Sequence, residues 1–338
     1  MFEQFDDELD LEPYPVLNHS RLFSRDIVRD ISRALIELLG SHSEPVMTIA
    51  VAGSLGRLEA SSESDIDCII IIDDRIELDQ VQVGLMVRKI RAELIKTSLR
   101  PSKAEGIYCR PVRTSCLLEP NARGSLTEEA AIFGTRMQLL LDARPIYNAR
   151  EFNFLRGQLL AWYGYSKNRM THYTHLLNDL SRYLHAYAVW QEFKFSRSKH
   201  DGWYLRQAKF RSTRVVTFAG LLFAIGEATA SGYKTDLELE LNRTPLGRIQ
   251  SAFNSYPGVE FRAFIETYEL LHRMLSDASI REELVRLSPI SRDKVPVQYP
   301  GTYARIHDLS GELMEHLTEF ILARRRDWPS QLFHSWLL

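Results

Sequence analysis

Two aspartates that follow a Gly-Ser pair are the residues whose types and spacing suggest chemistry. Ten residues separate Ser54 from Asp65, and Asp65-Ile66-Asp67 opens an apolar run that continues to Ile72. On a β-strand alternate side chains share a face, so Asp65 and Asp67 are predicted to point the same way while Ile66 faces the core. Neighbouring carboxylates repel each other unless a cation lies between them, and their hard oxygen ligands suit Mg²⁺. The pattern therefore predicts a metal site.

The Gly-Ser pair predicts a phosphate-binding turn beside this acidic pair. An apolar, strand-like run from Met47 to Ala52 leads into Gly53 and Ser54. Such a turn offers backbone N–H groups and a hydroxyl to phosphate oxygens. Mg²⁺ keeps water and substrate phosphates among its ligands. Together, the turn and the acidic pair predict a site for a magnesium-bound nucleoside triphosphate.

This pattern resembles the signature of the polymerase-β-type nucleotidyltransferase superfamily, in which a Gly-Ser turn precedes Asp-x-Asp on a strand. The likeness extends to the form found in bacterial signal-protein uridylyltransferases and in little-characterised nucleotidyltransferases related to them. The matching residues are Gly53-Ser54-Leu55-Gly56-Arg57-Leu58-Glu59 and Ser64-Asp65-Ile66-Asp67. The resemblance is close over residues 47 to 72 and fainter over residues 137 to 214.

The resemblance implies transfer of a nucleotidyl group from a nucleoside triphosphate to an acceptor hydroxyl, with release of pyrophosphate. Asp65 and Asp67 would hold two Mg²⁺ ions about 3.5–4 Å apart, with Mn²⁺ as the alternative ion. Gly53 and Ser54 would seat the β- and γ-phosphates. Arg57 would either reach a phosphate or lock the loop. The acceptor would be a protein, an RNA or a small molecule.

Members of the superfamily use a third carboxylate, for which this sequence offers two candidates. Asp142 comes first, because Leu-Leu-Leu-Asp-Ala-Arg-Pro-Ile around it is similar to a segment of the uridylyltransferases. Glu119, which closes an apolar, strand-like piece, comes second. A structural role is the alternative for each acid. Without a third acid, the chain would instead be a non-catalytic, nucleotide-binding sensor or regulatory protein that signals through its second half.

A basic and aromatic segment, residues 194–214, is a second region with candidate substrate contacts. It contains seven basic residues and one acid. Arg206 and Lys209 recur at helical spacing, and Arg214 extends the series. Guanidinium and ammonium groups suit phosphate oxygens, so these residues are predicted either to clamp the triphosphate or acceptor or to form a solvated helix face.

The predicted secondary structure that positions these residues changes near residue 150. Before about residue 150, predicted helices and strands alternate, which indicates an α/β or α+β nucleotidyltransferase domain with a mixed sheet. Beyond it, long helical periods predict an all-helical bundle. The predicted organisation is an acidic N-terminal arm (1–19), a catalytic domain (20–150) and a helical domain that clamps substrate or nucleotide (151–338).

Several element boundaries follow from local signals in the first half. Ser24 is predicted to cap the first helix. Two further helices are expected over residues 79–97 and 126–141, and a strand near residues 107–114.

Composition limits the class of protein. A formal net charge of −2 excludes indiscriminate nucleic-acid binding through global basicity. Cys68, Cys109 and Cys116 give neither an even disulfide framework nor a zinc spacing. The acidic start does not resemble a signal peptide, and no run approaches the roughly eighteen apolar residues of a membrane span. A cytoplasmic protein without a membrane partner is therefore predicted.

Overall fold

The structure, a computed structural model, describes residues 9–40, 45–74, 79–101, 107–108, 110–164, 173–197, 202–230, 236–256, 258–287, 299 and 301–337. Within these residues the fold is α+β, with one small mixed sheet and many helices. The predicted fold class is confirmed at this level.

The sheet has four strands in the order β3-β2-β1-β4. The strands are β1 (Val46–Ala52), β2 (Asp67–Ile72), β3 (Val112–Arg113) and β4 (Arg144–Tyr147). β1 pairs antiparallel with β2 and β4, and β2 runs parallel to β3. The register places Ala52 opposite Asp67, so the turn that follows β1 lies beside the acidic pair that opens β2.

Helices cover both faces of this sheet. α1 (Pro15–Leu39) and α3 (Gln80–Ile95) cover one face, where Ile49 and Ile70 join their apolar side chains. On the other face, Ala50 and Ile71 belong to the large core built by the later helices. Every residue of β1 is buried, as expected for a strand covered on both sides.

The remaining helices of the first half are short, apart from one. They are α2 (Gly53–Gly56), α4 (Thr114–Leu117), a 3₁₀ turn (Pro120–Ala122) and α5 (Ala130–Leu141). Asp79 caps α3 by accepting a hydrogen bond from the backbone N–H of Val81, which confirms the helix predicted there. The strand predicted near residues 107–114 is present over Val112–Arg113 in the described residues.

In the described residues of the second half, every regular element is a helix. Its helices are α6 (Ala149–Trp162), α7 (Thr174–Arg197), α8 (Trp203–Lys209), α9 (Val215–Ala230), α10 (Leu237–Glu240), α11 (Pro245–Asn254), α12 (Phe261–Ser276), α13 (Ala278–Arg286), α14 (Gly301–Arg324) and α15 (Ser330–Leu337). One apolar core runs from the strands into these helices and crosses residue 150 without a break.

α8 and α9 are continuous through a π-helical segment, Phe210–Arg214. In the part of the chain that the structure describes, Trp203–Ala230 is the one helix long and apolar enough to cross a membrane, and 72% of its most apolar window is buried inside the protein. Such burial is the usual environment of a core helix.

The predicted helix start at Ser24 is wrong. α1 begins at Pro15, and the carboxylate of Glu269 on α12 accepts hydrogen bonds from the backbone N–H groups of Val16 and Leu17, both 3.0 Å long. A distant carboxylate therefore caps the helix, as its exposed N–H groups and positive dipole end favour. Ser24 is buried within the helix, where its hydroxyl accepts a hydrogen bond from the backbone N–H of Ala60 at 2.9 Å.

Candidate metal and phosphate site

The Gly-Ser turn lies directly against one of the two aspartates. Gly53 has a φ of +65°, which glycine adopts at little cost. A Cβ at this position would lie 2.7 Å from Oδ2 of Asp67. Glycine is therefore required both by the backbone conformation and by the approach of the carboxylate. Ser54, the next residue, is half-buried.

Backbone hydrogen bonds give the loop after this turn its shape. The N–H of Arg57 donates to the carbonyl of Gly53 at 3.0 Å, and the N–H of Glu59 donates to the carbonyl of Ser54 at 2.8 Å. Gly56 is packed so tightly that a Cβ would collide with the backbone carbonyl of Asp142 and lie 2.7 Å from that of Val51. The loop is thus pressed against β1 and the segment before β4.

The predicted inward orientation of Ile66 is confirmed, although Asp65 lies in an isolated bridge before β2 begins at Asp67. Ile66 is 2% exposed and joins the core under α1 and α3 together with Cys68. Asp67 therefore shares the opposite face with Ile69, which belongs to the core of the later helices. The backbone around Asp65 is fixed by a bridge to Arg100. Both aspartates are half-buried at the end of the sheet.

The surroundings of Asp67 disfavour its charged form. Burial raises the pKa of Asp67 to about 6; Arg214 opposes this shift, and the negative charges of Asp65 and Asp142 add to it. Among the described residues, neither Asp65 nor Asp67 forms an ion pair with a basic side chain. A bound cation would relieve this cost, since it favours the charged carboxylate.

This raised pKa predicts that Asp67 makes the metal-free protein less stable as the pH rises. The folded value of about 6 exceeds the ordinary value of 3.8, so the folded state binds this proton more tightly than the unfolded state does. The contribution of Asp67 to the free energy of unfolding should be greatest below about pH 4 and fall by up to about 3 kcal/mol by about pH 7. The contribution of Asp67 is measured by urea unfolding in chelator between about pH 4 and about pH 7, as the difference in free energy of unfolding between the wild type and Asp67→Asn.

Magnesium provides the complementary measurement. At neutral pH, Mg²⁺ should raise the melting temperature of the wild type, because it binds the charged carboxylates, and should leave Asp67→Asn unchanged. Identical pH dependence and identical magnesium response in the two proteins would contradict this account of the pair.

Arg57 is held inside the protein by two carboxylates. Its Nε donates to Oε2 of Glu59 at 2.7 Å and its Nη1 donates to Oδ2 of Asp142 at 2.8 Å. The hydroxyl of Tyr268, on α12, donates to the other oxygen of Glu59 at 2.9 Å. Arg57 is only 5% exposed. In this arrangement it locks the loop, and reaching a phosphate would require both ion pairs to break.

The two candidates for the third acid lie in different surroundings. Asp142, which follows α5, is buried; its Oδ2 accepts from Arg57, and its Oδ1 has no hydrogen-bond partner in the described part of the chain. Its charge acts on Asp67. Glu119 is exposed, and its carboxylate accepts from the backbone N–H of Asn121 at 3.2 Å.

Glu119 also borders a cavity of about 310 Å³ beside α4 and α5. The other lining residues are Ser115, Cys116, Ala122, Glu128, Glu129 and Ile132. Neither aspartate of the pair nor the Gly-Ser turn lines it. Among the residues described, no group of three or more His, Cys, Asp or Glu side chains has the geometry of a metal site.

The helical half contributes Arg214 to this region. Nη1 of Arg214 lies 4.0 Å from Oδ2 of Asp142, and its guanidinium lies over the ring of Tyr187, 5.4 Å from the ring centre. Burial and the charge of Asp67 raise the pKa of Tyr108 well above its usual range. Tyr108 therefore lies close enough to Asp67 to feel its charge. Sequence reasoning missed both tyrosines, and it included Arg214 only as the end of a helical series.

The other two basic candidates have different surroundings. α8, which carries Arg206 and Lys209, packs against α13 and α14. Arg206 is half-buried, and its Nε and Nη2 atoms have no hydrogen-bond partner within the described residues. Lys209 is half-buried as well. Neither is among the charges that shift the pKa of Asp67, whereas Arg214 is the largest of these.

No protein-family model matches the chain, and a search of the curated proteins finds no match. The residues and their geometry are therefore what bears on function.

Proposed function

We propose that this protein is a magnesium-dependent nucleotidyltransferase, which moves a nucleotidyl group from a nucleoside triphosphate to an acceptor hydroxyl and releases pyrophosphate. The observation that carries the proposal is the packing of the turn at Gly53 against Asp67, with Asp65 two residues before it in a bridge to Arg100. Backbone suited to phosphate and carboxylates suited to a hard cation thus meet at one end of the β1–β2 hairpin.

The residues present fit a divalent cation. Asp65 and Asp67 would hold Mg²⁺, or Mn²⁺ in its place, since their carboxylates are half-buried and unpaired by basic side chains in the described residues. The orphaned Oδ1 of Asp142 makes this acid our candidate for a further oxygen ligand. When bound, Mg²⁺ would lower the pKa of the acceptor hydroxyl and offset the charge of the leaving pyrophosphate.

The turn and its support would position the triphosphate. Gly53 lets the carboxylate of Asp67 lie close against the turn, and the hydroxyl of Ser54 follows it directly. Arg57 would act as a positioning residue, because its bonds to Glu59 and Asp142 hold the loop against the sheet. A turn fixed in this way has little conformational entropy left to lose when phosphate binds.

The proposed function assigns a role to each half of the chain. Residues 20–150 would form the nucleotidyltransferase domain and residues 151–338 a helical domain that clamps substrate. The contact of Tyr268 with Glu59 and the approach of Arg214 to Asp142 support this division, since both bring the helical half to the proposed site.

Turnover of nucleoside triphosphates that carry the label at one of two phosphates tests the proposal. Each nucleoside triphosphate, labelled at the α- or the γ-phosphate, is incubated with the protein, Mg²⁺ and a cell lysate. The α-label should move to an acceptor while the γ-label leaves as pyrophosphate, and chelator should stop both. Fractionation of the product then distinguishes a protein, an RNA and a small-molecule acceptor.

Other outcomes contradict the proposal in distinct ways. Transfer of the γ-label would indicate a kinase. Binding of a triphosphate without transfer to any fraction would favour the nucleotide-binding sensor. If the protein neither binds nor transfers a nucleotide, nucleoside triphosphates are excluded both as substrates and as ligands.

A further inference from the structure

Arg214 is a partly exposed cation at the proposed site. Its side chain is 22% exposed, and in the described residues its guanidinium makes no hydrogen bond. Its ion pair with Asp142 is 4.0 Å long, at the limit of such a contact. Oδ2 of Asp142 already accepts from Arg57 at 2.8 Å, so one carboxylate oxygen faces two arginines. Arg214 therefore keeps N–H donors that a further acceptor could use.

Aromatic packing holds this guanidinium in place. Tyr187, under Arg214, stacks on Tyr183 at 6.4 Å and on Phe210 at 6.0 Å between ring centres. Arginine stacks well on such faces while its N–H groups stay directed outward. Arg214 also ends the π-helical segment, and such irregular turns often occur at functional sites.

A bound polyphosphate would add several negative charges to a site that already holds Asp65 and Asp67. A nearby cation favours such a ligand. The single charge of Arg57 is already more than offset by its two carboxylate partners. Arg214, which acts on Asp67 and has only a long contact to Asp142, supplies a charge that a phosphate can use.

We propose that Arg214 is the polyphosphate-binding residue of the helical half: it exchanges its long contact with Asp142 for the phosphate oxygens of the triphosphate. This inference rests on the proposed function and deepens it, because it makes the site incomplete without the second half of the chain. In this proposal Arg214, rather than Arg206 or Lys209, is the main basic side chain that contacts the phosphates.

Isothermal titration of tripolyphosphate into the protein in magnesium buffer tests this role without turnover. Arg214→Ala and Arg214→Gln should each weaken binding by about ten- to a hundred-fold, the usual effect of losing a hydrogen bond to a charged group. Glutamine keeps most of the side chain over Tyr187, so it provides a folded variant if alanine does not. Arg262→Ala is the matched control, since Arg262 is exposed on α12 and its partner among the described residues is Glu266, at 2.8 Å.

Three results separate the possibilities. Wild-type affinity in both Arg214 variants, with folding confirmed by thermal melts, would overturn the role of Arg214 and leave the proposed function standing. A loss confined to Arg206→Ala would also overturn it and return the clamp to α8. If the wild type binds neither tripolyphosphate nor any nucleoside triphosphate, the proposed function itself fails.

Discussion

Asp67→Asn is expected to abolish nucleotidyl transfer without unfolding the protein. The substitution keeps the shape of the side chain against Gly53 but removes the charge that a divalent cation needs. Loss of an essential group of this kind lowers turnover by roughly 10³-fold or more. Asp65→Asn should behave in the same way, since it is the other half of the acidic pair. The α-label assay measures both variants.

The stability of these variants separates a catalytic from a structural effect. Asp67→Asn should unfold at an equal or higher urea concentration than the wild type in chelator at neutral pH, because the raised pKa makes the charged carboxylate a cost there. Asp26→Asn is the control, since Asp26 is 62% exposed on α1. Near-normal turnover of both pair variants in Mg²⁺ would show that the acidic pair is not the metal site.

Arg57→Ala is expected to lower the free energy of unfolding by about 3–5 kcal/mol. Removing the guanidinium leaves the carboxylates of Glu59 and Asp142 buried without the partner that offsets their charges. The loss of one member of a buried ion pair has this magnitude because the remaining charge cannot be solvated. Equilibrium denaturation in urea, with unchanged m-value, measures it.

Two controls show that the effect belongs to the buried network. Arg262→Ala removes an arginine from an exposed pair and should change the free energy of unfolding by less than about 1 kcal/mol. Tyr268→Phe removes only the hydroxyl that donates to Glu59 and should cost about 1 kcal/mol. If Arg57→Ala is as stable as the control, the loop is held by its backbone bonds alone.

Local signals in the sequence were enough to predict the geometry of the hairpin that carries the site. The inward direction of Ile66 follows from the two-residue period of extended backbone, and its burial confirms it. That Asp65 and Asp67 point the same way stays a prediction. The turn at Gly53 likewise depends on a backbone conformation that glycine adopts readily. Metal, nucleotide and acceptor stay predictions.

Elements without a local signal were missed or misplaced. β4 contains Pro145, a residue that disfavours central strands, and it pairs with one neighbour only, as a strand at the sheet edge. The start of α1 depends on Glu269, far along the chain, which no nearby pattern reveals.

The sequence by itself determined which residues are candidates to bind metal and phosphate, because residue type and short-range periodicity are enough to select candidates. Tertiary structure alone decided their partners. It placed Arg57 between Glu59 and Asp142 and brought Arg214 from the helical half to Asp142. A sequence pattern predicts that a charged side chain is buried or exposed, but the charge that offsets it is chosen by packing between segments far apart in the chain.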